Sequence, residues 1–145
     1  WYSRRWKIEV MHRVLKSGCK VEERQLQTLE RMRPMIAMDL ITACYLMGLC
    51  AAARQTTETS ALNWIRREDA EALLTFCGKT DINAANLSAK ELVAILAKLG
   101  GHLGRKGDGP PGAEVLWRGL AKMEIISTAA DAFRNSPGPN LGKCG

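Results

Sequence analysis

The chain has 145 residues and a mass of 16.0 kDa, so it can form the core of one domain, with room for a fragment of a second. Its composition, 46% hydrophobic and 25% charged, is typical of a soluble globular protein. The five cysteines are scattered without a Cys-x-x-Cys pair, and there are only two histidines. This argues against a zinc site and against a disulfide framework, and it fits a reducing cytosol.

The formal charge of +6 is concentrated at the beginning of the chain. Residues 1–20 contain six lysines and arginines and one acid, Glu9, so they carry +5 and the other 125 residues carry +1. Two tryptophans and a tyrosine lie in the same stretch. Basic side chains gain from phosphates and aromatic rings stack on bases, which indicates a polyanion partner. Composition alone is equally compatible with an alternative, a basic helix face that is simply exposed to solvent.

Apolar spacing and chain breakers predict a mainly α chain without a strand of useful length. The first helix is predicted over residues 2–16, where the glycine of Ser17-Gly18 can close it. A second, more polar helix is predicted over 21–33. Pro34 suits the first turn of a third helix.

The third predicted helix is the most hydrophobic segment, over residues 35–53. Its length is just enough to span a bilayer, but Asp39, Thr42 and Tyr45 interrupt it. A helix that is apolar on all sides also occurs at the centre of a helical domain. The preferred interpretation is therefore a buried core helix, with no membrane partner.

Two shorter helices are predicted after a linker over residues 55–60. The first covers about 67–77 and stops at Gly78. Ser88 begins the second, because Glu91 lies three residues further on in a capping-box pattern, and the helix ends at Gly100-Gly101.

A loop by composition, residues 100–112, leads into the last predicted helix, over 113–133. Four apolar residues recur there at helical spacing: Leu116, Leu120, Met123 and Ile126. With Trp117 they indicate either packing or a contact with another helix. Residues 136–145 are predicted to be a disordered tail.

The first helix carries an unusual set of polar residues on one side. In an ideal α-helix Tyr2, Arg5, Glu9 and Lys16 fall within an arc of about 60°, along roughly 21 Å of helix. We call these four residues the polar stripe. The opposite, buried side is predicted to hold Ile8, Met11, Val14 and Leu15.

An amphipathic surface helix with an ordinary Arg5–Glu9 ion pair explains only part of the polar stripe. In the functional interpretation Glu9 is a hard oxygen ligand for Mg²⁺, and the other three residues hold phosphates on either side of it. Trp6 and Arg13 flank the polar stripe on one edge. A lone carboxylate among cations is a poor site for phosphoryl transfer, because two-metal catalysis needs more acids.

The spacing Tyr2-x2-Arg5-x3-Glu9-x6-Lys16, and "YSRRWKIE" in particular, resembles the Tyr-Arg-Glu-Lys signature of the insertion-sequence-four family of bacterial cut-and-paste transposases. The segments "LERM" (29–32) and "AKLGGHLGRKGDGPPGAEVLWRGLAKM" (97–123) are similar to the C-terminal part of these proteins. The resemblance covers most of the chain and is weak over 55–90.

The resemblance implies the last catalytic helix of a ribonuclease-H-like core (1–33) followed by a helical C-terminal dimerisation domain (34–135). It makes Glu9 the third acid of a catalytic site that binds Mg²⁺ or Mn²⁺. It also implies contacts with transposon-end DNA for five residues: Tyr2, Arg5, Trp6, Arg13 and Lys16. A homodimer through the C-terminal helices, in the bacterial cytoplasm at the nucleoid, is the implied assembly.

The two catalytic Asp of this family would lie before Trp1, and Asp39 cannot replace one because it belongs to a different, apolar helix. The chain alone is therefore expected neither to cut DNA nor to hold a metal tightly. The alternative is a non-catalytic module that binds DNA and dimerises, a transposase remnant able to inhibit the full enzyme through mixed dimers.

Overall fold

The computed structural model describes residues 2–19, 21–23, 25, 28–55 and 59–136, with the backbone alone for 2–6 and 17. Its helices are α1 (Tyr2–Arg13), α2 (Leu29–Ala52), α3 (Arg67–Phe76), α4 (Ala89–Leu99) and α5 (Ala113–Asn135). α1 continues into a π-helical turn, Val14–Gly18. The described residues also form three 3₁₀ turns: Val21–Glu23, Ala61–Asn63 and Ala84–Asn86. These residues include no strand, which confirms the mainly α prediction, and they hold no ribonuclease-H-like sheet.

Local signals placed the last three helices correctly. α3 and α4 occupy the predicted ranges, and α5 follows the predicted loop. The Ser88 side chain accepts from the Glu91 amide while a Glu91 carboxylate oxygen accepts from the Ser88 amide, so the capping box is confirmed. The predicted tail lies outside the described residues, apart from Ser136.

The predicted helix over 21–33 is wrong. Of the described residues between 21 and 28, only the 3₁₀ turn Val21–Glu23 is helical, and α2 begins at Leu29, ahead of Pro34. Proline inside a helix removes the hydrogen bond to the carbonyl four residues back, here that of Glu30. Pro34 lies in the second turn of α2, so the bond that is given up is near the start of the helix. The predicted domain boundary between 33 and 34 lies inside α2 and stays a prediction.

α2 is a core helix only in its second half, so the prediction of a buried helix over 35–53 is half right. Ala43, Leu46 and Leu49 are fully buried against the other helices. Before Asp39 no residue of α2 is buried, and Leu29 and Met38 are each more than 60% exposed. We call residues 29–38 the exposed half of α2. By length and composition α2 could also cross a membrane, and the expectation of no membrane partner stays a prediction.

α4 and α5 form the centre of the domain. Leu92 and Leu96 of α4 and Leu116 of α5 are fully buried. The two helices approach closely at two glycines: a Cβ on Gly119 would lie 2.1 Å from the carbonyl oxygen of Leu96, and one on Gly100 would lie 1.9 Å from that of Val115. Only glycine allows the backbones to come this near.

An aromatic pair connects α2 to the turn before α3. The Tyr45 hydroxyl donates to the main-chain oxygen of Trp64 at 2.6 Å, and the two rings meet edge to face with centroids 5.6 Å apart. Burial among these groups, followed by the nearby charge of Asp69, raises the pKa of the Tyr45 hydroxyl. The hydroxyl therefore stays protonated, and it keeps this donor role throughout the neutral range.

Removal of the capping box is expected to destabilise the domain moderately. Ser88→Ala leaves the Glu91 amide without its acceptor, which costs about 1 kcal/mol in the free energy of unfolding. The hydrogen bonds from Ser88 lower the pKa of Glu91 below its ordinary value of 4.5. A carboxylate with a lowered pKa stabilises the fold above that value, and this contribution is lost as the pH falls through the lowered pKa.

Urea denaturation of Ser88→Ala and of the unchanged chain at pH 7 and pH 3 measures both effects. The difference between the two proteins should shrink at pH 3, because the variant lacks the hydrogen bond that the Ser88 hydroxyl donates to the Glu91 carboxylate but keeps the one from the backbone amide of residue 88. Ser136→Ala, just past the end of α5, is the matched control, because Ser136 is exposed, and it should change the unfolding free energy by less than about 0.5 kcal/mol. An equal loss at both pH values would contradict the role of the Glu91 carboxylate.

Candidate nucleic-acid interface

α1 carries all the predicted site residues except Lys16. The backbones of Tyr2, Arg5 and Trp6 lie in its first two turns, while their side chains lie outside the described part of the structure. The Glu9 and Arg13 side chains are exposed. Because 2, 5 and 9 lie within one regular α-helix, their positions share one side of α1, as the sequence predicts.

Lys16 departs from the ideal register, because it lies in the π turn Val14–Gly18. A π turn closes over five residues, so each residue advances by less than in an α-helix and Lys16 is rotated from its predicted position. Its Nζ lies 2.8 Å from Oε1 of Glu22, and both side chains are more than 60% exposed. The hydrogen bond and charge of Glu22 raise the pKa of Lys16. An exposed ion pair of this kind is weak, so a phosphate can displace Glu22.

The other side of α1 is anchored to the domain. Val14 is 3% exposed, and Met11 and Leu15 pack partly against the core, as predicted. Ile8 is an exception: it is 53% exposed, so its predicted burial is wrong. The reason is that the core contacts one edge of the apolar side, through Val10 and Val14, and leaves the Ile8 edge facing outward.

Glu9 can supply one carboxylate ligand to a divalent metal, but it cannot form a metal site by itself. Its carboxylate is exposed and chemically suited to Mg²⁺. In the part of the chain that the structure describes, no three His, Cys, Asp or Glu residues come together. Asp39 is 4% exposed and lies within α2, which agrees with its exclusion from the site. A two-metal centre therefore needs acids from other residues.

A cleft beside α1 contains basic residues that the sequence analysis did not assign to a site. Lys7 and Arg13 of α1 line one wall, and Arg54, just past the end of α2, lines another. Pro110 and Pro111, before α5, also line it. We call this space the proline cleft. No sequence signal could have revealed it, because Arg54 is distant from α1 along the chain and comes near only through packing.

α5 has two distinct sides. Leu116 and Met123 face the core, and Leu120 and Ile126 are half-buried against it, so the apolar stripe of the sequence serves packing. The opposite side holds a separate set of exposed residues, within an arc of about 120°. We call it the outer face of α5: Arg118, Ala121, Lys122, Ile125, Ala129 and Phe133. Its Ile125 is 69% exposed and its Phe133 is 82% exposed.

A helical domain with exposed apolar side chains on the outer face of α5 has the features of an association module, and the basic helix that precedes it is suited to a polyanion. The family model described as Transposase Tn5 dimerisation domain matches residues 48–137. The chain therefore belongs to the Tn5 transposase dimerisation domain family, which supports homodimer formation. No curated protein and no solved structure matches the chain. The matched range includes α3, α4 and α5 and the end of α2, and it excludes α1.

Proposed function

We propose that the chain is the C-terminal part of a DNA transposase, in which α1 contacts transposon-end DNA and the following domain forms a homodimer. The observation that carries the proposal is the match to a transposase dimerisation domain over residues 48–137, in a chain whose first helix bears Tyr2, Arg5 and Glu9 of the polar stripe. The two features come from different parts of the chain. The spacing of the stripe and the family match are therefore independent support for the same class of protein.

The DNA contacts are assigned to α1 and its π turn. Tyr2, Arg5 and Trp6 have their backbones on α1, and Arg13 and Lys16 present exposed cations. Phosphate contacts of this kind fix the position of DNA and depend strongly on salt. Transposition would take place at the nucleoid, in the bacterial cytoplasm.

The catalytic role belongs to Glu9, as one carboxylate ligand of Mg²⁺ or Mn²⁺ in the complete enzyme. Such metals stabilise the attacking and leaving oxygens when a phosphodiester is hydrolysed or joined. Within this chain, α1 places the Glu9 carboxylate on the exposed side of the helix, one helical turn from Arg5. In the proposed enzyme, this chain contributes that ligand and the phosphate contacts beside it.

The second candidate function is a module without chemistry, which dimerises and binds DNA and inhibits a complete transposase through mixed dimers. The family match favours it in one respect, because the matched domain is a dimerisation domain and the matched range excludes Glu9. Both candidates require the same DNA contacts and the same dimer.

Substitutions in the polar stripe are expected to weaken DNA binding. Arg5→Ala and Lys16→Ala each remove one phosphate contact, so each should reduce the affinity for a short DNA duplex about tenfold at 50 mM salt and lower the salt slope by about one unit. Fluorescence anisotropy with a labelled duplex at several salt concentrations measures both quantities.

Lys90→Ala is the control for bulk charge, because Lys90 is exposed on the first turn of α4, away from α1. It should leave the salt slope unchanged. If all three substitutions had the same effect, the polar stripe would contribute only general charge and the proposed DNA contacts would be wrong. Glu22→Gln removes the competing partner of Lys16 and should raise the affinity slightly.

A further inference from the structure

We propose that the proline cleft binds a sugar–phosphate unit of a DNA strand, with Arg54 as the principal phosphate contact. This inference rests on the proposed function, because it takes DNA as the source of the phosphate. It adds a second contact region, built from the junction of α1, α2 and α5, to the polar stripe.

The size and walls of the proline cleft suit such a unit. Its volume is about 730 Å³, within the range of roughly 300–1,000 Å³ that is usual for small-molecule sites. Aliphatic side chains of α1 and α2 and the rings of Pro110 and Pro111 form apolar walls. A sugar can pack against these walls while its phosphate reaches the cations.

The charge of the proline cleft is unbalanced in favour of an anion. Lys7, Arg13 and Arg54 line it together with a single carboxylate, that of Glu114. Among the ion pairs of the described residues, none uses any of these three cations. The C-terminal end of α2 accounts for a cation at Arg54, but it does not account for Lys7 and Arg13 on the facing helix. A bound phosphate would balance part of this positive charge.

The start of α5 adds to this positive potential. Gly112, the N-cap residue of α5, lines the proline cleft and supplies no side-chain cap. The free amides of a helix N-terminus favour an anion nearby, although Glu114 in the first turn offsets part of this effect. The three cations carry the inference, and the helix end reinforces it.

Arg13 connects the proline cleft to the polar stripe. On α1 it lies about 40° from Glu9 on one side and about 60° from Val10, a wall of the cleft, on the other. A DNA strand lying along the polar stripe can therefore pass Arg13 and place its next phosphate in the cleft. The two contact regions share one strand rather than compete for it.

Arg54→Ala is the first test, with the same labelled duplex. It should reduce affinity about tenfold at 50 mM salt and lower the salt slope by about one unit, whereas Arg54→Lys should keep the slope. Arg67→Ala, an exposed arginine at the start of α3, is the matched control and should leave the slope unchanged.

A chemical footprint locates the bound strand independently. Cys50 lines the proline cleft, whereas Cys44 is exposed elsewhere on α2. Bound DNA should slow the alkylation of Cys50 at least threefold and leave that of Cys44 unchanged, as measured by mass spectrometry of the peptides. Burial raises the pKa of the Cys50 thiol, so the reaction is run at mildly alkaline pH.

The outcomes separate this inference from the proposed function. An unchanged slope in Arg54→Ala, while Arg5→Ala and Lys16→Ala still lose affinity, would overturn the cleft assignment and leave DNA binding by α1 intact. If the unchanged chain bound no DNA, the proposed function itself would fail. Protection of Cys50 by inorganic phosphate as strong as that by DNA, at equal phosphate concentration, would overturn the assignment to a DNA strand.

Discussion

Gly119→Ala is expected to lower the free energy of unfolding by about 3 kcal/mol or more and the melting temperature by about 10 °C. The new Cβ would lie 2.1 Å from the Leu96 carbonyl oxygen and 2.7 Å from its carbon. Both atoms belong to the backbone of α4, so no side-chain rotation relieves the contact and α4 must move away from α5. The usual gain in helix propensity from glycine to alanine, about 1 kcal/mol, is too small to compensate.

Thermal and urea denaturation followed by circular dichroism measure this loss. Gly112→Ala is the matched control, because Gly112 has an ordinary φ of −76° and no neighbouring heavy atom within 4 Å of the added Cβ. Its change in unfolding free energy should stay within about 1 kcal/mol. Equal melting temperatures for the two variants would contradict the close approach of α4 and α5.

Ile125→Asp is expected to weaken the homodimer at least 100-fold. If the outer face of α5 forms the interface, Ile125 loses its exposure there, and an aspartate in its place becomes a charge without a partner in an apolar contact. A penalty of about 3 kcal/mol corresponds to this change in the dissociation constant. Sedimentation equilibrium over a range of protein concentrations measures it.

Ile41→Asp on α2 is the matched control, since Ile41 is 64% exposed and Ile125 is 69% exposed. Both substitutions replace an exposed isoleucine, so both proteins should keep their helical circular dichroism. Dissociation of the Ile41→Asp dimer, with the Ile125→Asp dimer intact, would move the interface to α2 and refute its placement on α5.

Local chemistry explains why the second part of the fold was predictable. The Ser88–Glu91 pair acts within one helical turn, and Gly78 and Gly101 adopt positive φ angles directly after their helices. Each signal depends on neighbours in the sequence, so it can be interpreted without knowledge of the packing.

Long-range packing explains the parts that were missed. The π turn after α1 places Val14 in the core and brings the amide of Cys19 to the Val14 carbonyl, and this shift of register depends on contacts with other helices. The exposed half of α2 ends in the apolar run 35–38, which has the composition of a buried helix, so composition alone could not predict that this run is exposed. Arg54 joins the proline cleft through the fold of α2 against α1, which no local spacing encodes.

The π turn has a mechanical consequence for a dimer. A Cβ on Gly18 would lie 4.0 Å from the Cβ of Trp117 on α5, so the π turn is close to α5, and α1 continues directly into this turn. The basic helix of each subunit is thus held at a set angle to the helix that carries the outer face. In a dimer that associates through α5, the two copies of α1 would therefore lie at one fixed distance from each other. A pair of DNA sites at another spacing could be bridged only by bending the duplex, at a cost that rises with the mismatch.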